Sequence, residues 1–279
     1  MPDLTAPPGL LGLYAKAVLP APSRGDTLPD SVYRLAGRAV DLDHLARYQQ
    51  VCGFPVSHQL PPTYLSALAF PVSVALMTQR SFPVPLLGLL HIRNAITVAR
   101  PTSADDRIDV EVRVADLRPH RAGRQFDVVV ETRVDAAVVW SGRSTYLHRE
   151  KAAARPEPAI RAVPEPLGPR AQVRVAADIG RRYAAVSADR NPVHLSKATA
   201  RLFGFPRAIA HGMWLAARTL AVLEGRLPDA YTVDVAFKAP VLLPSTVAIG
   251  TRRDDREWLL DVRNARSGTL HLTGRIQPG

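Results

Sequence analysis

The chain has 279 residues, of which 47% are hydrophobic and 22% charged, with a net charge of +11 and one cysteine, Cys52. This composition is typical of globular proteins and excludes a disordered chain, an internal disulfide and a cysteine-based metal site. Without a secretory signal or a run of about 18 apolar residues, we expect a cytoplasmic protein with no membrane insertion. The basic residues are scattered arginines without a nucleic-acid-binding motif, so we predict no nucleic-acid partner.

A proline-rich segment at residues 151–169 divides the chain into two parts. It has no sustained apolar periodicity, which is typical of a linker. We therefore predict an N-terminal domain at residues 1–150, a linker at 151–169 and a C-terminal domain at 170–279.

The two predicted domains are similar to each other in the order of their elements. Residues 43–54 align with residues 178–189, because both segments place a tyrosine five residues after an aspartate. Each half continues with an apolar helical stretch, a strand-like run that closes on proline, and three alternating segments typical of antiparallel strands. The predicted helices are 63–78 and 209–224, the runs are 91–101 and 234–244, and the later strands are 107–117, 125–134, 138–148, 246–252, 258–264 and 269–276.

A long apolar helix followed by antiparallel strands, twice in one chain, indicates an α+β fold. Each half is predicted to wrap a sheet around a central helix, so the whole chain would be a double hotdog. The alternative is that two unrelated α+β domains share this order by coincidence.

Only the second half has a polar, turn-rich insertion of about eleven residues before its apolar helix. The insertion contains Asp189, Asn191 and His194, whereas the first half has Phe54 at the position of Asp189. The Asn-Pro step that starts at Asn191 favours a turn. This turn can bring the side chains of Asp189 and His194 to one cavity, which predicts a single site in a duplicated scaffold.

The residues after this turn predict two helix starts. Ser196 is a candidate N-cap for a short helix that runs to Phe203 and ends at Gly204. The central helix of the second half is predicted to begin around Ile209. Gly212 in its first turn would let a ligand approach a backbone N–H at the positive end of the helix, as in an oxyanion hole.

These residue types suit the addition of water to an α,β-unsaturated thioester. The reaction needs a base for water, an acid for the α-carbon and a donor that polarises the thioester oxygen. Asp189 and His194 can supply the first two, and Gly212 the third.

Each candidate residue also has a structural interpretation. Asp189 can be an Asx-turn residue, His194 a structural histidine and His211 a hydrogen-bonding, positioning residue. The three together could hold a metal ion, but no HExxH-type spacing supports this, so we predict no metal.

The segment YAAVSADRNPVH at residues 183–194, with GFPRAIAHGM at 204–213, resembles the hydratase 2 signature of the MaoC-like dehydratases. These are (R)-specific enoyl-CoA hydratases with a hotdog fold, and the signature spans about 31 residues here. The first half resembles the degenerate hotdog of the double-hotdog members, especially the long-chain dehydratases of actinobacterial type. Two residues depart from the signature beside the catalytic positions: Ala188 replaces a glycine and Ala208 replaces a proline.

The resemblance implies a cofactor-independent hydro-lyase of fatty acid metabolism that adds water to a trans-2-enoyl thioester in a reversible syn reaction. Coenzyme A or acyl carrier protein would carry the acyl chain, which the first half would accommodate, and the chain would act alone or as a homodimer. Asp189 and His194 match the catalytic pair, Asn191 the ordering asparagine and Gly212 the oxyanion-hole amide. The candidate substrate-binding residues are Tyr183, Ser187, Arg190, Arg207, Ile209, His211 and Met213.

Two further functions compete with the hydratase. A hotdog acyl-CoA thioesterase would direct water to the thioester carbonyl. A non-catalytic subunit would only bind the acyl thioester.

Overall fold

The computed structural model describes residues 3–4, 6–10, 12–13, 26–150, 164–168 and 170–279. Most of the predicted linker, residues 151–163 and 169, lies outside this part. The described strands are β1 (Asp3–Leu4), β2 (Tyr33–Arg38), β3 (Leu90–Val98), β4 (Ile108–His120), β5 (Gly123–Val134), β6 (Ala137–Arg149), β7 (Arg170–Val175), β8 (Tyr231–Phe237), β9 (Ser245–Asp254), β10 (Glu257–Asn264) and β11 (Leu270–Pro278). The described α-helices are α1 (Leu42–Cys52), α2 (Tyr64–Met77), α3 (Ile179–Ser187), α4 (Lys197–Arg201) and α5 (Gly212–Leu220), with 3-10 turns at Pro192–His194 and Ala221–Leu223.

All these strands join one sheet in the order β1-β2-β4-β5-β6-β3-β8-β11-β10-β9-β7. From edge to centre, β2-β4-β5-β6-β3 of the first half corresponds to β7-β9-β10-β11-β8 of the second. The halves meet where β3 and β8 pair antiparallel, with Ile96 opposite Val233. This repeated strand order confirms the predicted α+β double hotdog.

Each half buries its apolar helix under its part of the sheet. In the first half, α2 is apolar on most of its circumference and packs on β2, β4 and β5. In the second half, α5 buries Trp214, Leu215 and Leu220 in the same hydrophobic core. Every helix in the described residues is too short or too polar to cross a lipid bilayer.

Helix contacts also join the two halves. The aligned tyrosines, Tyr48 of α1 and Tyr183 of α3, touch with ring centroids 6.1 Å apart. The indole Nε1 of Trp214 in α5 donates a hydrogen bond to the carbonyl of Val51 in α1 at 2.9 Å. The repeat therefore forms one continuous core rather than two separate ones.

In the first half the helix predicted at 63–78 is α2 with Thr63 and Thr78 as its caps, and the later strands predicted there are confirmed as β4, β5 and β6. The run predicted at 91–101 is a strand only from Leu90 to Val98. In the second half the prediction of a helix from Ile209 is wrong. The central helix begins at Gly212 and ends at Leu220, and a 3-10 turn follows it. Residues 208–210 are extended instead, since they hydrogen-bond to residues 241–243, including a β-bridge between Ile209 and Leu242.

Two other predicted elements are shorter than expected. The strand predicted at 234–244 is the strand Tyr231–Phe237, because Pro240 and Pro244 beyond it have no N–H for a sheet hydrogen bond. The short helix after Ser196 ends at Arg201 and does not reach Phe203.

We predict that Trp214→Phe lowers the free energy of unfolding by about 1–3 kcal/mol, because it leaves the Val51 carbonyl without its indole donor in a partly buried contact between the halves. Urea unfolding followed by circular dichroism measures this loss. Trp258→Phe, at a half-buried position of β10, is the matched control and should cost less. An equal loss in both variants would contradict the role of the Trp214 hydrogen bond.

Candidate active site

The site begins, along the chain, at the strained C-terminal end of helix α3. Helix α3 ends at Ser187, and Ala188 follows in the left-handed region with φ of 63°. An L side chain costs about 1–2 kcal/mol in this conformation, a cost that the glycine of the hydratase 2 signature would not carry. The Ser187 Oγ donates to the carbonyl of Tyr183 at 2.9 Å and accepts from the N–H of Asp189 at 3.2 Å, so it fixes the direction in which the chain leaves the helix.

Asp189 uses its two carboxylate oxygens differently. Its Oδ1 accepts a hydrogen bond from the N–H of Asn191 at 3.1 Å, which forms the Asx turn. Its Oδ2 lies 3.9 Å from Nε2 of His211, and the side chain remains 25% exposed. The structural and the catalytic interpretations of Asp189 are therefore compatible.

A 3-10 turn brings His194 back toward Asp189. The turn runs from Pro192 to His194, and the Asn191 Oδ1 caps it by accepting from the N–H of Val193 at 3.4 Å. Ser196 then caps α4 as predicted, accepting from the N–H of Thr199 at 3.1 Å. The predicted ordering role of Asn191 thus has a local basis in this cap.

A backbone carbonyl fixes the proton position on His194. Its Nδ1 lies 2.8 Å from the carbonyl oxygen of Ile209. Because a carbonyl only accepts, the hydrogen of the neutral ring is on Nδ1 and the lone pair is on Nε2. Burial lowers the pKa of His194, whereas the charge of Asp189 and the Ile209 carbonyl raise it.

His211 lies directly against His194. Their rings stack with centroids 3.6 Å apart and planes 26° from parallel. The Nε2 of His211 donates to the backbone carbonyl of Asp189 at 3.0 Å, and the ring of Tyr183 packs behind it at 4.9 Å. Burial and the neighbouring His194 hold the pKa of His211 well below its ordinary value, so this residue is a neutral support for the turn.

Helix α5 begins at Gly212, the residue after His211. As the first helical residue, Gly212 has an N–H without an acceptor inside the helix, at its positive end. A Cβ at this position would lie 3.1 Å from Cζ of Phe237, so the ring covers the glycine closely. The site thus combines a carboxylate, an imidazole and a backbone donor.

Comparisons with known proteins show the family of the chain. The family model described as "MaoC like domain" matches residues 160–272, and that described as "FAS1-like, dehydratase domain region" matches residues 47–138. The 3-hydroxyacyl-thioester dehydratase X of Mycobacterium tuberculosis is 38% identical over 278 residues, which cover 98% of this chain and 99% of that protein. The chain belongs to the MaoC-like dehydratase family.

Solved structures show the same relationship. A crystal structure of the Mycobacterium tuberculosis protein matches with a TM-score of 0.80 and 38% identity, over 88% of this chain and 99% of the other. A MaoC-like dehydratase from Phytophthora capsici matches with a TM-score of 0.72 over 91% of this chain and 96% of the other, but with 17% identity, which shows the shared fold alone.

The site of this MaoC-like dehydratase also has the composition of a metal site. One ligand atom each of Asp189, His194 and His211 lie within 4.8 Å of one another. However, the two imidazoles stack nearly face to face with centroids 3.6 Å apart, so an ion in the plane of one ring would lie well out of the plane of the other. This arrangement suits proton transfer better than convergence on one ion.

The predicted substrate-binding residues fall into two groups. Tyr183, Ser187, Ile209 and His211 are buried and hold the turn from behind, partly through their backbone or hydroxyl groups. By contrast, Arg190 and Arg207 are exposed, and Met213 is half-buried.

Sequence reasoning missed four residues around this turn. Gly180 of α3 lies against the backbone of His194, where a Cβ would be 1.9 Å from the carbonyl oxygen. An isolated glycine inside a helical pattern was the available signal for it. His91, Tyr146 and Phe237 form an aromatic group on the sheet beside Gly212, and the local sequence holds no signal for this contact.

We predict that Gly180→Ala displaces the His194 turn, because backbone atoms cannot yield to a contact of 1.9 Å without a shift. The variant should lose about 1–3 kcal/mol of stability and most of its activity. Thermal unfolding and turnover are the measurements. Gly168→Ala, where nothing lies within 4 Å of the new Cβ, should change neither. Wild-type behaviour of Gly180→Ala would refute the close contact.

We predict that the imidazole of His194 titrates below pH 6.5, since burial outweighs the favourable charge of Asp189. In Asp189→Asn the raising effect of the carboxylate is lost, so the pKa of His194 should fall further. NMR titration of the labelled histidine side chains measures both values. A pKa that rises in Asp189→Asn would show that the two groups are not coupled as described.

Proposed function

We propose that the protein is an (R)-specific 2-enoyl-CoA hydratase, equivalently a 3-hydroxyacyl-thioester dehydratase, of fatty acid metabolism. The observation that supports this most directly is the meeting of the Asp189 carboxylate and the His194 imidazole beside the N-terminus of α5. The name of the Mycobacterium tuberculosis relative, 3-hydroxyacyl-thioester dehydratase X, agrees with it.

In the proposed hydration, Asp189 and His194 hold one water molecule between them. As the water oxygen bonds to C3 of the trans-2-enoyl thioester, the pair accepts a proton from the water and delivers a proton to C2 on the same face. The Nε2 lone pair of neutral His194 is suited to this exchange. Dehydration uses the same groups in reverse.

The thioester oxygen gains negative charge as C3 is attacked. We assign its stabilisation to the N–H of Gly212, at the positive end of α5. Glycine keeps this position free of a side chain, although the ring of Phe237 lies close by. No metal or organic cofactor takes part in this scheme.

The remaining assignments concern the substrate and its carrier. We assign the acyl chain to the space provided by residues 1–150, and catalysis to residues 170–279. Arg190 and Arg207 are exposed cations that can meet the phosphates of coenzyme A or an acidic acyl carrier protein. The single cysteine, which is buried in α1, is consistent with a reducing cytoplasm. The chain would act alone or as a homodimer of double-hotdog chains.

A hydration assay tests the function directly. The purified chain is mixed with trans-2-enoyl-CoA substrates from crotonyl to palmitenoyl, and loss of the conjugated enoyl absorbance is followed together with free thiol. We expect absorbance loss without thiol release and an (R)-3-hydroxyacyl product. Thiol release would instead identify a thioesterase, and no reaction at any chain length would favour a binding subunit.

We predict that Asp189→Asn and His194→Gln each lower kcat by about two or more powers of ten, because each removes a proton-transfer group. Circular dichroism should show that both variants remain folded. His58→Gln, at an exposed site of the first half, is the matched control and should retain wild-type kcat. Wild-type rates in both dyad variants would remove this mechanism.

A further inference from the structure

His91 belongs to the half without the catalytic pair, yet it lies beside the site. Its ring stacks on Tyr146 with centroids 4.7 Å apart and lies 5.0 Å from the ring of Phe237. Phe237 is the ring that covers Gly212. One aromatic ring therefore separates His91 from the amide that we assign to the thioester oxygen.

One nitrogen of His91 has an unused hydrogen-bonding capacity. Its Nε2 is shielded from solvent and has no hydrogen-bond partner among the described residues. A hydrogen bond with the backbone of Arg93 raises the pKa of the ring, and because Nε2 has no partner we assign this bond to Nδ1 as the donor. Nε2 therefore keeps a lone pair, and a buried acceptor without a donor costs about 1–3 kcal/mol. A bound molecule with a suitably placed donor would remove this cost.

The charge state of His91 agrees with Nε2 as a hydrogen-bond acceptor. Burial lowers the pKa of His91 to about 4, although the Arg93 backbone and the charge of Asp189 raise it. His91 is therefore neutral at physiological pH. The effect of Asp189 also means that the carboxylate lies within electrostatic reach of a ring on the opposite half.

Resting on the proposed function, we propose that Nε2 of His91 accepts a hydrogen bond from the 3-hydroxyl group of the bound (R)-3-hydroxyacyl thioester. In the proposed mechanism the oxygen of this hydroxyl lies between Asp189 and His194, so its one hydrogen is the donor for Nε2 of His91, and a saturated acyl chain has no such donor. His91 is then a substrate-binding residue that discriminates the hydroxylated from the non-hydroxylated acyl group. Both halves of the chain contribute to the site.

Two variants of nearly equal shape isolate the acceptor. His91→Gln keeps an oxygen near the position of Nε2, whereas His91→Met does not, and both lose the stacked ring. The KM for the (R)-3-hydroxyacyl-CoA preferred by the wild type is compared with the Ki of the saturated acyl-CoA of the same length. We expect His91→Met to raise this KM about tenfold relative to His91→Gln, the value of one hydrogen bond, and to leave the Ki within about twofold.

His271→Met is the matched control. His271 is also buried, with Nδ1 at 3.0 Å from the carbonyl of Ala239 and Nε2 unpartnered, but Asp189 does not affect its pKa. We expect its KM and Ki to be those of the wild type.

Three results would overturn the inference. The first is an equal KM for the hydroxyacyl-CoA in His91→Gln and His91→Met. The second is a Ki of the saturated acyl-CoA that rises in His91→Met as much as the KM does, which would indicate a contact with the pantetheine amide or lost packing. The third is a His271→Met variant with the same selective rise in KM. Turnover by the wild type separates these failures from failure of the proposed function, because a wild-type chain without turnover would overturn both.

Discussion

The antiparallel pairing of β3 with β8 is the contact on which the rest of the structure depends. It turns two half-sheets into one and places Arg93 opposite Ala236 at the boundary. Because side chains alternate along strands, a slip of one residue would move every side chain to the other face of the sheet. The observed register sets His91 at one end of β3 beside Phe237 at the end of β8. A site in one half is thus completed by a strand of the other.

The duplicated frame is symmetric, but its chemistry is not. In the first half, Phe54 occupies the position of Asp189, and a cavity of about 220 Å³ that Phe54 and Trp140 help to line lies at this counterpart of the site. The side-chain amide of Gln49 bonds there to the carbonyls of Ser57 and Gln59, 3.0 Å from each. The first half therefore holds its turn with an uncharged amide, whereas the second uses a carboxylate that can also exchange protons.

Much of this architecture was predictable from the sequence because it is local. Helix α2 and most of the long strands follow from periodicity, and the Asp189–His194 turn follows from an Asn-Pro step with its flanking polar residues. The extended segment at 208–210 was not predictable in this way. Its apolar residues continue the pattern of α5, and they are extended only because residues 241–243, about thirty positions later, bond to them.

The same reason explains the site residues that sequence analysis missed. Gly180 acts on His194 through a backbone contact across the insertion, and His91 reaches the site through the pairing of β3 with β8. Gly180 inside a helical pattern signals a special position, but the local sequence identifies the contact partner of neither Gly180 nor His91. Asp189 and His194, by contrast, belong to one short turn that its residue types and spacing predict.

The stacked imidazoles impose a last constraint on the chemistry. Two unit charges 4 Å apart repel by about 4 kcal/mol at an effective dielectric constant of 20, so His194 and His211, with ring centroids 3.6 Å apart, do not both carry a proton charge. His211 is the one held neutral, because it is more deeply buried and its Nε2 hydrogen is committed to the carbonyl of Asp189. The imidazole pair therefore holds one extra proton at most, on His194. The addition of water to an enoyl thioester moves one proton from the water to C2. Because His194 can hold one extra proton, the site can accept the proton from the water and deliver a proton to C2 without proton exchange with solvent.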